Sequence, residues 1–525
     1  MMKKSIYLAL LLLLFGVRAV GETIVHIDDT ESWSARSMSS YVGQTVKFDV
    51  PFYICNNYSY NSGYYTIAPR RIFAPTNQAI PGSTQYSTIV SANSSGEVTL
   101  TGLSGYRRMG EILEGLTVRV NSTSSWSLVS VDEFVGNTRT DLDSGLPSVD
   151  MRGEHTLLVC ALNLEYYLVE NLGTGYGPDD SNEAAKQHAK IMDALAHIQA
   201  DIFGFVEIEQ GQTALEKLAT SLSSTTGHTY SYIDDGTSAS GSYTKSGYIY
   251  RTDKVEPYGD LYNNNIGVQN RKKMIGFKEK SSGERFIFSI NHFKAKSGQG
   301  TGTDADQGDG QGSFNATRVL EAQSVLTSYQ SKKNYYGDDD ILVMGDLNAY
   351  GKEDPIRTLT EGGLVDLHRY FHADSSYSYV YRDQAGYLDH ALANSTMLKQ
   401  ITGMQAYHIN SDEHDSFTYD KSTDKTMFRC SDHDPVLVGL RLGEGYDTKS
   451  DNSYEACTVE MVDHQLHIES AMGGYYRLYD IMGALYAEGN VTQPDYTVDV
   501  DVPAGMYILN VYVEGSVKQL KLFIQ

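Results

Sequence analysis

Basic residues are scarce in this chain. Lys and Arg number 42 against 66 Asp and Glu, a formal net charge of −24 over 525 residues. That balance excludes a general cationic surface for gripping nucleic acid, so a polyanionic substrate must meet a local positive patch or bound cations. Cysteine is also sparse. Cys55, Cys160, Cys430 and Cys457 are spaced too widely for a zinc site and allow zero to two disulfides, with three full pairings among which the sequence does not choose. The two tryptophans, Trp33 and Trp126, leave the C-terminal segment with none, which removes the aromatic platform of a carbohydrate-binding sandwich. Long apolar runs are missing except at the start. There, Lys3 and Lys4 precede an apolar run from Ile6 to Phe15 and a small-residue position at Ala19 or Gly21, the pattern of a secretory signal over residues 1–21. The run is about half of the roughly 20 residues needed to span a bilayer. No Cys lies near the cleavage position, so a lipid-anchored start is not supported. An exported protein with no membrane span is expected.

What is present is enough for a folded, multidomain chain. Hydrophobic content is an ordinary 41%, and the length suggests roughly three domains. Residues 22–145 alternate in short runs such as Thr45-Val-Lys-Phe-Asp-Val50 and Leu116-Thr-Val-Arg-Val120, divided by turn clusters such as Asn93-Ser-Ser-Gly96. They read as an all-β domain. A linker over Thr140 to Arg152 leads to residues 153–443, where strands alternate with helices in the α/β manner. The helical spacing of Ser181 to Ile198 places Ala185, Ala189, Met192 and Ala196 on one face. After a second linker at 443–452, residues 453–525 return to short alternating strands.

The centre of the α/β segment is Ile341-Leu-Val-Met-Gly-Asp-Leu-Asn-Ala-Tyr350: a buried strand, a turn at Gly345, then Asp346 and Asn348 two residues apart. Alone, that pair could simply shape a turn. Company changes the reading. Asn163 and Glu165 follow one strand, Glu207 and Glu209 another, and His292 a third; Asp389-His390 and Asp432-His433-Asp434 flank two more. Two carboxylates about 4 Å apart repel by roughly 4 kcal/mol at an effective dielectric of 20, so convergence would call for a cation or for protonation. Oxygen donors without Cys suit Mg²⁺, Mn²⁺ or Ca²⁺ rather than zinc. A His beside a carboxylate supplies a general base.

The order of NHF (291–293), GDLNAY (345–350), LDHAL (388–392) and SDHDPV (431–436) resembles the endonuclease/exonuclease/phosphatase superfamily with the DNase I-like fold. Within it, NHFKAKSG (291–298), DADQGDGQGSFNATR (304–318) and GDLNAYGKEDPI (345–356) resemble bacterial secreted extracellular endonucleases. The resemblance implies a four-layer α/β sandwich of two packed mixed β-sheets flanked by helices. It implies His433 as catalytic base oriented by Asp389, with Asp346 and Asn348 orienting water and holding phosphate. His292 would contact phosphate. Glu207, Asp432 and Asn163 would stand at the metal, and Arg271 in NRKK (270–273) at the substrate phosphate. Glu165 and Glu209 depart from the family pattern and carry no assigned role. Asp304, Asp306 and Asp309 fit either a calcium loop or solvated turns, and His390 and His414 read as ordinary polar residues. Between Arg271 and Lys296 there are eight Lys or Arg against two acidic residues, a local patch suited to a phosphate backbone.

The N-terminal segment loosely resembles the oligonucleotide-binding-type barrels that accompany some secreted nucleases, although no repeated aromatic and basic stripe marks a single-strand platform. At the other end, GYYRLYDIMGALYAEG, VPAGMYILNVYVEG and KQLKLFIQ resemble the C-terminal β-sandwich sorting domain of the type IX secretion system of Bacteroidetes. The combined expectation is a secreted, Mg²⁺-dependent (or Mn²⁺- or Ca²⁺-dependent) hydrolase of nucleic acid, mainly DNA and with RNA as a further substrate, handled by the type IX machinery. Two alternatives stand beside it. One is a phosphatase or phosphodiesterase acting on nucleotides, phospholipids or other phosphoesters; the other is a non-catalytic surface adhesin.

Overall fold

The computed structural model describes residues 23–143, 148–238 and 244–443, and from 458 to 524 a set of strands with short gaps between them. The signal-like residues 1–21, Cys457 and most of the 443–452 linker lie outside the described residues. Two compact units divide at Gly445.

Within the first unit, the α/β part is built from two six-stranded mixed sheets. One runs in the order Tyr230–Tyr232, Thr244–Arg251, Ile202–Glu209, Leu157–Tyr167, Val436–Leu440, Ile401–Ala406. The other runs Val255–Asn264, Lys272–Glu279, Arg285–Asn291, Ile341–Asp346, Asp389–Asn394, Leu364–Asp366. Alternation sends Leu157, Val159, Ala161 and Val206 of the first sheet against Phe286, Phe288, Ile290, Leu342 and Met344 of the second, in one buried core. The opposite faces are covered by helices, Ser181–Ile198 and Thr213–Thr226 on the first sheet and Asn315–Tyr336 on the second. The result is the expected four layers.

The helix at Ser181–Ile198 has the expected bounds and is capped by Asp180, whose side chain accepts from the N–H groups of Asn182 and Glu183. Its core face is rotated from the expected one. Ala184, Ile191, Ala194, Leu195 and Ile198 are buried together with the expected Met192, whereas Ala189 and Ala196 are half-buried and Ala185 is exposed. The larger apolar side chains decide the face. Gly345 is likewise not a turn. It lies inside its strand opposite His390, and a Cβ there would come within 2.1 Å of the Asn291 carbonyl oxygen, so only glycine admits the neighbouring strand this closely.

The N-terminal part forms a nine-stranded sheet, against the five strands of an oligonucleotide-binding barrel. Its core gathers Trp33, Phe48, Phe52 and Trp126, with Phe48 stacked on Trp126 at 5.1 Å. It is not wholly β. Thr84–Gly96 is a helix, capped by Ser83, and the expected turn cluster Asn93-Ser-Ser-Gly96 is its last turn. Ser and Asn resemble turn residues locally, but here Asn93 is buried and donates to the Phe73 carbonyl. In the second unit, a three-stranded and a four-stranded sheet share a core of Leu466, Ile468, Tyr476, Leu478, Leu509 and Val511, as in a β-sandwich. Cys55, Cys160 and Cys430 are free and buried. Among the described residues no helix is long and apolar enough to cross a membrane.

Candidate active site

Sheet direction explains why residues far apart in sequence converge. Leu157–Tyr167 is parallel to Ile202–Glu209, and Arg285–Asn291 is parallel to Ile341–Asp346, so Asn163, Glu207, His292 and Asp346 emerge together. Antiparallel strands begin at that same end. Asp389 lies opposite Asp346, and Val436, just after His433, lies opposite Ala161.

Asp346 Oδ2 is the hub. Asn163 Nδ2 and Asn348 Nδ2 each donate to it at 3.2 Å, while His292 Nε2 stands 3.6 Å away and His433 Nε2 3.9 Å. Asn348 also donates its backbone N–H to Asp346 Oδ1 at 2.8 Å. His433 Nδ1 is 2.7 Å from Asp389 Oδ2, which also accepts from the Ser378 hydroxyl at 2.8 Å. Asp432 Oδ2 is 3.9 Å from His433 Nε2, and Glu207 Oε1 is 3.6 Å from His292 Nε2. Arg271 adjoins the group, its backbone oxygen accepting from the His292 N–H at 2.8 Å. All nine expected site residues are therefore brought together. Glu165, Tyr166, Glu207 and Asn348 hold positive φ of 50°, 54°, 58° and 50°, strain concentrated at one place in the fold.

The site lies against a cleft of about 350 Å³ lined by Asn163, Glu165, Glu207, Tyr419, Asp432 and His433, among others. Its carboxyls are short of positive charge. Burial, then the Asp432 carboxylate, pushes Glu207 up to about 7. Burial, with Asp389 and Glu207 adding to it against the pull of His433, raises Asp346 to about 7. Glu165 reaches about 8 through burial and Asp432. Burial opposes a proton on His433, but Asp389, Asp432 and Asp346 overrule it and raise its affinity well above the ordinary value. His292 goes the other way, lowered by burial and then by Arg271.

These donors fit a divalent cation. They are carboxylates and a carboxamide, crowded enough that some favour protonation at neutral pH, and buried Glu165 Oε2 has no hydrogen-bond partner. Asp346, Asp389 and His433 offer ligand atoms within 4.8 Å of one another. Because Asp389 and His433 are turned onto each other at 2.7 Å, Glu207 and Asp432 are the better-placed holders.

Other acidic and histidine positions are structural. Glu209 accepts the N–H groups of Val169, Glu170 and Asn171 at 2.7 to 2.9 Å. His390 Nε2 meets the Ala349 carbonyl at 2.7 Å, and His414 Nε2 the Tyr58 carbonyl at 3.0 Å. Asp304 accepts from Thr317, Asp306 from Gly308 and Asp309 from Gln311, so the Gly-Asp loop closes on itself. Half of the expected basic patch is neutralised. Lys272 pairs with Glu321 at 3.0 Å, Lys273 with Asp235, Lys278 with Glu256 at 3.2 Å and Lys296 with Glu353 at 2.5 Å. Arg271, Lys280, Arg285 and Lys294 have no carboxylate within ion-pair distance among the described residues.

Sequence reasoning missed several neighbours. Tyr379 stacks on the His433 ring at 4.6 Å, Ser378 supports Asp389, and Tyr166 stacks on Tyr176 at 5.1 Å beside the cleft. No motif announces a short hairpin or a loop tyrosine. Glu165, singled out in the sequence beside Asn163 but given no role there, lines the cleft.

A twelve-strand sandwich with a His–Asp pair and, at one rim, carboxylates that have no Arg or Lys partner among the described residues is an arrangement suited to phosphoester hydrolysis. The chain belongs to the Endonuclease/Exonuclease/phosphatase family, which it matches over residues 162–433, a little over half its length. Members are hydrolases of phosphoesters that depend on divalent metal. No curated protein matches the chain. Among solved structures it is similar to an endonuclease/exonuclease/phosphatase from Bacteroides vulgatus (17% identity, 55% of this chain and 98% of that one, TM-score 0.37). It is also similar to a mannosyl-6-phosphatase from Bacteroides thetaiotaomicron (17%, 55% and 100%, 0.37) and to D. rerio TDP2 with a single-strand DNA product (13%, 54% and 98%, 0.36).

Proposed function

We propose that this protein is a secreted phosphodiesterase that cuts nucleic acid, mainly DNA, with a divalent cation. The observation that carries the reading is the His433–Asp389 pair directed at Asp346, beside Glu207 and Asp432, which have no Arg or Lys ion-pair partner among the described residues. Glu207 and Asp432, with Asn163, would hold Mg²⁺, Mn²⁺ or Ca²⁺. Bound there, the cation supplies positive charge that polarises a phosphoryl oxygen.

His433 takes the proton of the attacking water at Nε2, while Asp389 fixes the ring through Nδ1. Asp432 is one of the carboxylates that raise the proton affinity of His433, so a cation held there would weaken that pull and favour His433 as a base. Asp346 aligns the water. His292, held neutral by burial and Arg271, acts through N–H donation rather than as a charged acid. Asn163 and Asn348 donate toward charge developing on the phosphoryl oxygens. Two features favour nucleic acid among phosphoesters. The Tyr166–Tyr176 pair offers a face on which a base can stack, and Arg271 and Lys294 are available to phosphate.

Purified protein with Mg²⁺ should degrade plasmid, and His433→Ala should lower kcat by about 10²- to 10⁴-fold with an unchanged circular dichroism spectrum. Hydrolysis of a nucleotide, phospholipid or sugar phosphate with DNA left intact would transfer the chemistry to another substrate. Tight DNA binding without hydrolysis under every cation would remove it. Export through a cleaved signal over residues 1–21, with residues 453–525 as a type IX sorting domain, belongs to the same proposal. Deleting 453–525 in a bacterium carrying that system should retain the protein inside the cell envelope; unaltered release would contradict this.

A further inference from the structure

The N-terminal part does more than sit beside the α/β sandwich. Its segment Ile72 to Ala74 meets the hairpin of Tyr379–Tyr381 and Gln384–Gly386 through a parallel backbone bridge between Phe73 and Ala385. The Ala385 N–H donates to the Ile72 carbonyl and the Ala74 N–H to the Ala385 carbonyl, both at 2.8 Å. That hairpin touches both members of the catalytic pair. Tyr379 covers the His433 ring at 4.6 Å, while Ser378 donates its hydroxyl to Asp389 at 2.8 Å and accepts the Asp434 N–H at 2.8 Å.

Arg71 reaches the same place by a second route. Its guanidinium is 2.5 Å from Asp412 Oδ1 and lies 4.5 Å over the Tyr377 ring. Tyr377 donates its hydroxyl to Asp412 Oδ2 at 2.6 Å and stacks flat on His408 at 3.8 Å. His408 Nδ1 is 2.9 Å from Asp434, the residue after His433. Gly110 makes room for this: with φ of 84°, it has no Cβ, and one built there would lie 2.1 Å from Arg71. Asn137, also from the N-terminal part, donates to Asp412 Oδ2 at 2.8 Å.

We propose that the N-terminal β part is a working component of the catalytic centre. Residues 71–74 seat the 377–386 hairpin, and through it fix the orientation of the His433–Asp389 pair. Arg71 and Tyr379 are positioning residues. The inference rests on His433 being the catalytic base. Two contacts with independent chemistry converge beside the dyad: a backbone bridge seats the hairpin that touches His433 and Asp389, and a buried cation–π and ion-pair stack ends on Asp434, the residue after His433; a simple spacer would need neither.

The test uses the full chain with Mg²⁺ and a defined DNA oligonucleotide. Its variants are Arg71→Ala, Arg71→Lys, Tyr379→Ala and Tyr379→Phe. Arg71→Ala and Tyr379→Ala should lower kcat by about 10- to 100-fold and leave KM within about threefold. Tyr379→Phe keeps the ring and should match wild type; Arg71→Lys keeps the charge but not the flat stacking face, and should fall between. A low-field proton resonance of the His433–Asp389 hydrogen bond, identified by its loss in His433→Ala, should shift or broaden in both alanine variants. Unchanged kcat and an unchanged resonance in folded Tyr379→Ala would overturn the proposal, whether or not Arg71→Ala folds. If wild-type protein hydrolyses no phosphoester, the functional reading fails, and the resonance alone still decides whether residues 71–74 position the dyad.

Discussion

Two groups of buried carboxylates in this molecule are treated in opposite ways. At the seam between the N-terminal and α/β parts, Asp412 faces Arg71, and Glu413 faces Arg108 and Arg139. In the loop after Tyr230–Tyr232, the Asp235 carboxylate is clasped by Lys245 and Lys273. Burial alone would raise these acids, yet Arg71 and Arg108 hold Asp412 below the usual carboxylate range, and the two lysines do the same for Asp235. In the cleft, Glu165, Glu207 and Asp346 are about as deeply placed, but no Arg or Lys lies within ion-pair distance among the described residues, and all three are raised to about 7 or 8. A chain that supplies counter-charge at the seam and at Asp235 and withholds it here leaves room for a cation from solution. That is the physical basis for assigning metal to the cleft.

The contrast can be broken by substitution. The largest effect is expected at the seam. Asp412→Ala leaves Arg71 buried without its partner, and should destabilise the protein by about 3–5 kcal/mol in denaturant unfolding. Glu207→Gln should do the reverse in chelator at pH 8. By removing one of the repelling charges, it should stabilise the metal-free protein by about 1–3 kcal/mol, while abolishing the thermal shift that Mg²⁺ gives wild type. Destabilisation by both substitutions would mean the two regions are alike.

Acidity offers a graded version of the same test. Glu207 and Asp346 bind protons more tightly folded, near 7, than unfolded, near 4.5 and 3.8. Their contribution to metal-free stability is therefore fully present below the unfolded values and is lost as pH rises through about 7. Metal-free wild type should lose stability between about pH 5 and pH 8, and saturating Mg²⁺ should flatten that slope. A slope that Mg²⁺ leaves unchanged would separate the carboxylates from metal. The smallest effect is expected at the cleft mouth. Tyr176→Ala should weaken single-stranded DNA binding by about 1 kcal/mol, read as a rise in KM, with kcat nearly constant.

The candidate constellation was legible because each piece is local. Asn163, Glu207, His292, Asp346, Asp389 and His433 all sit at or beside strand ends, and chain direction in the sheets brings those ends to one rim. The basic patch was only half legible for the opposite reason. Lys272, Lys273 and Lys296 are neutralised by Glu321, Asp235 and Glu353, which lie 49, 38 and 57 residues away, beyond what local charge counting can see. Long-range pairing also hid the role of Arg71, whose partner Asp412 is 341 residues distant. In the Thr84–Gly96 helix, Ser and Asn looked like turn formers, and only tertiary contacts such as Asn93 with Phe73 settle the helix.

The most direct measurement is cleavage of a defined DNA substrate by protein stripped of metal with chelator, before and after Mg²⁺ is restored, in wild type and Glu207→Gln. No cleavage by stripped wild type, recovery on adding Mg²⁺ and little recovery in Glu207→Gln are the predicted results. Full cleavage in chelator, or equal recovery in the two proteins, would contradict the assignment of the cleft to a catalytic cation.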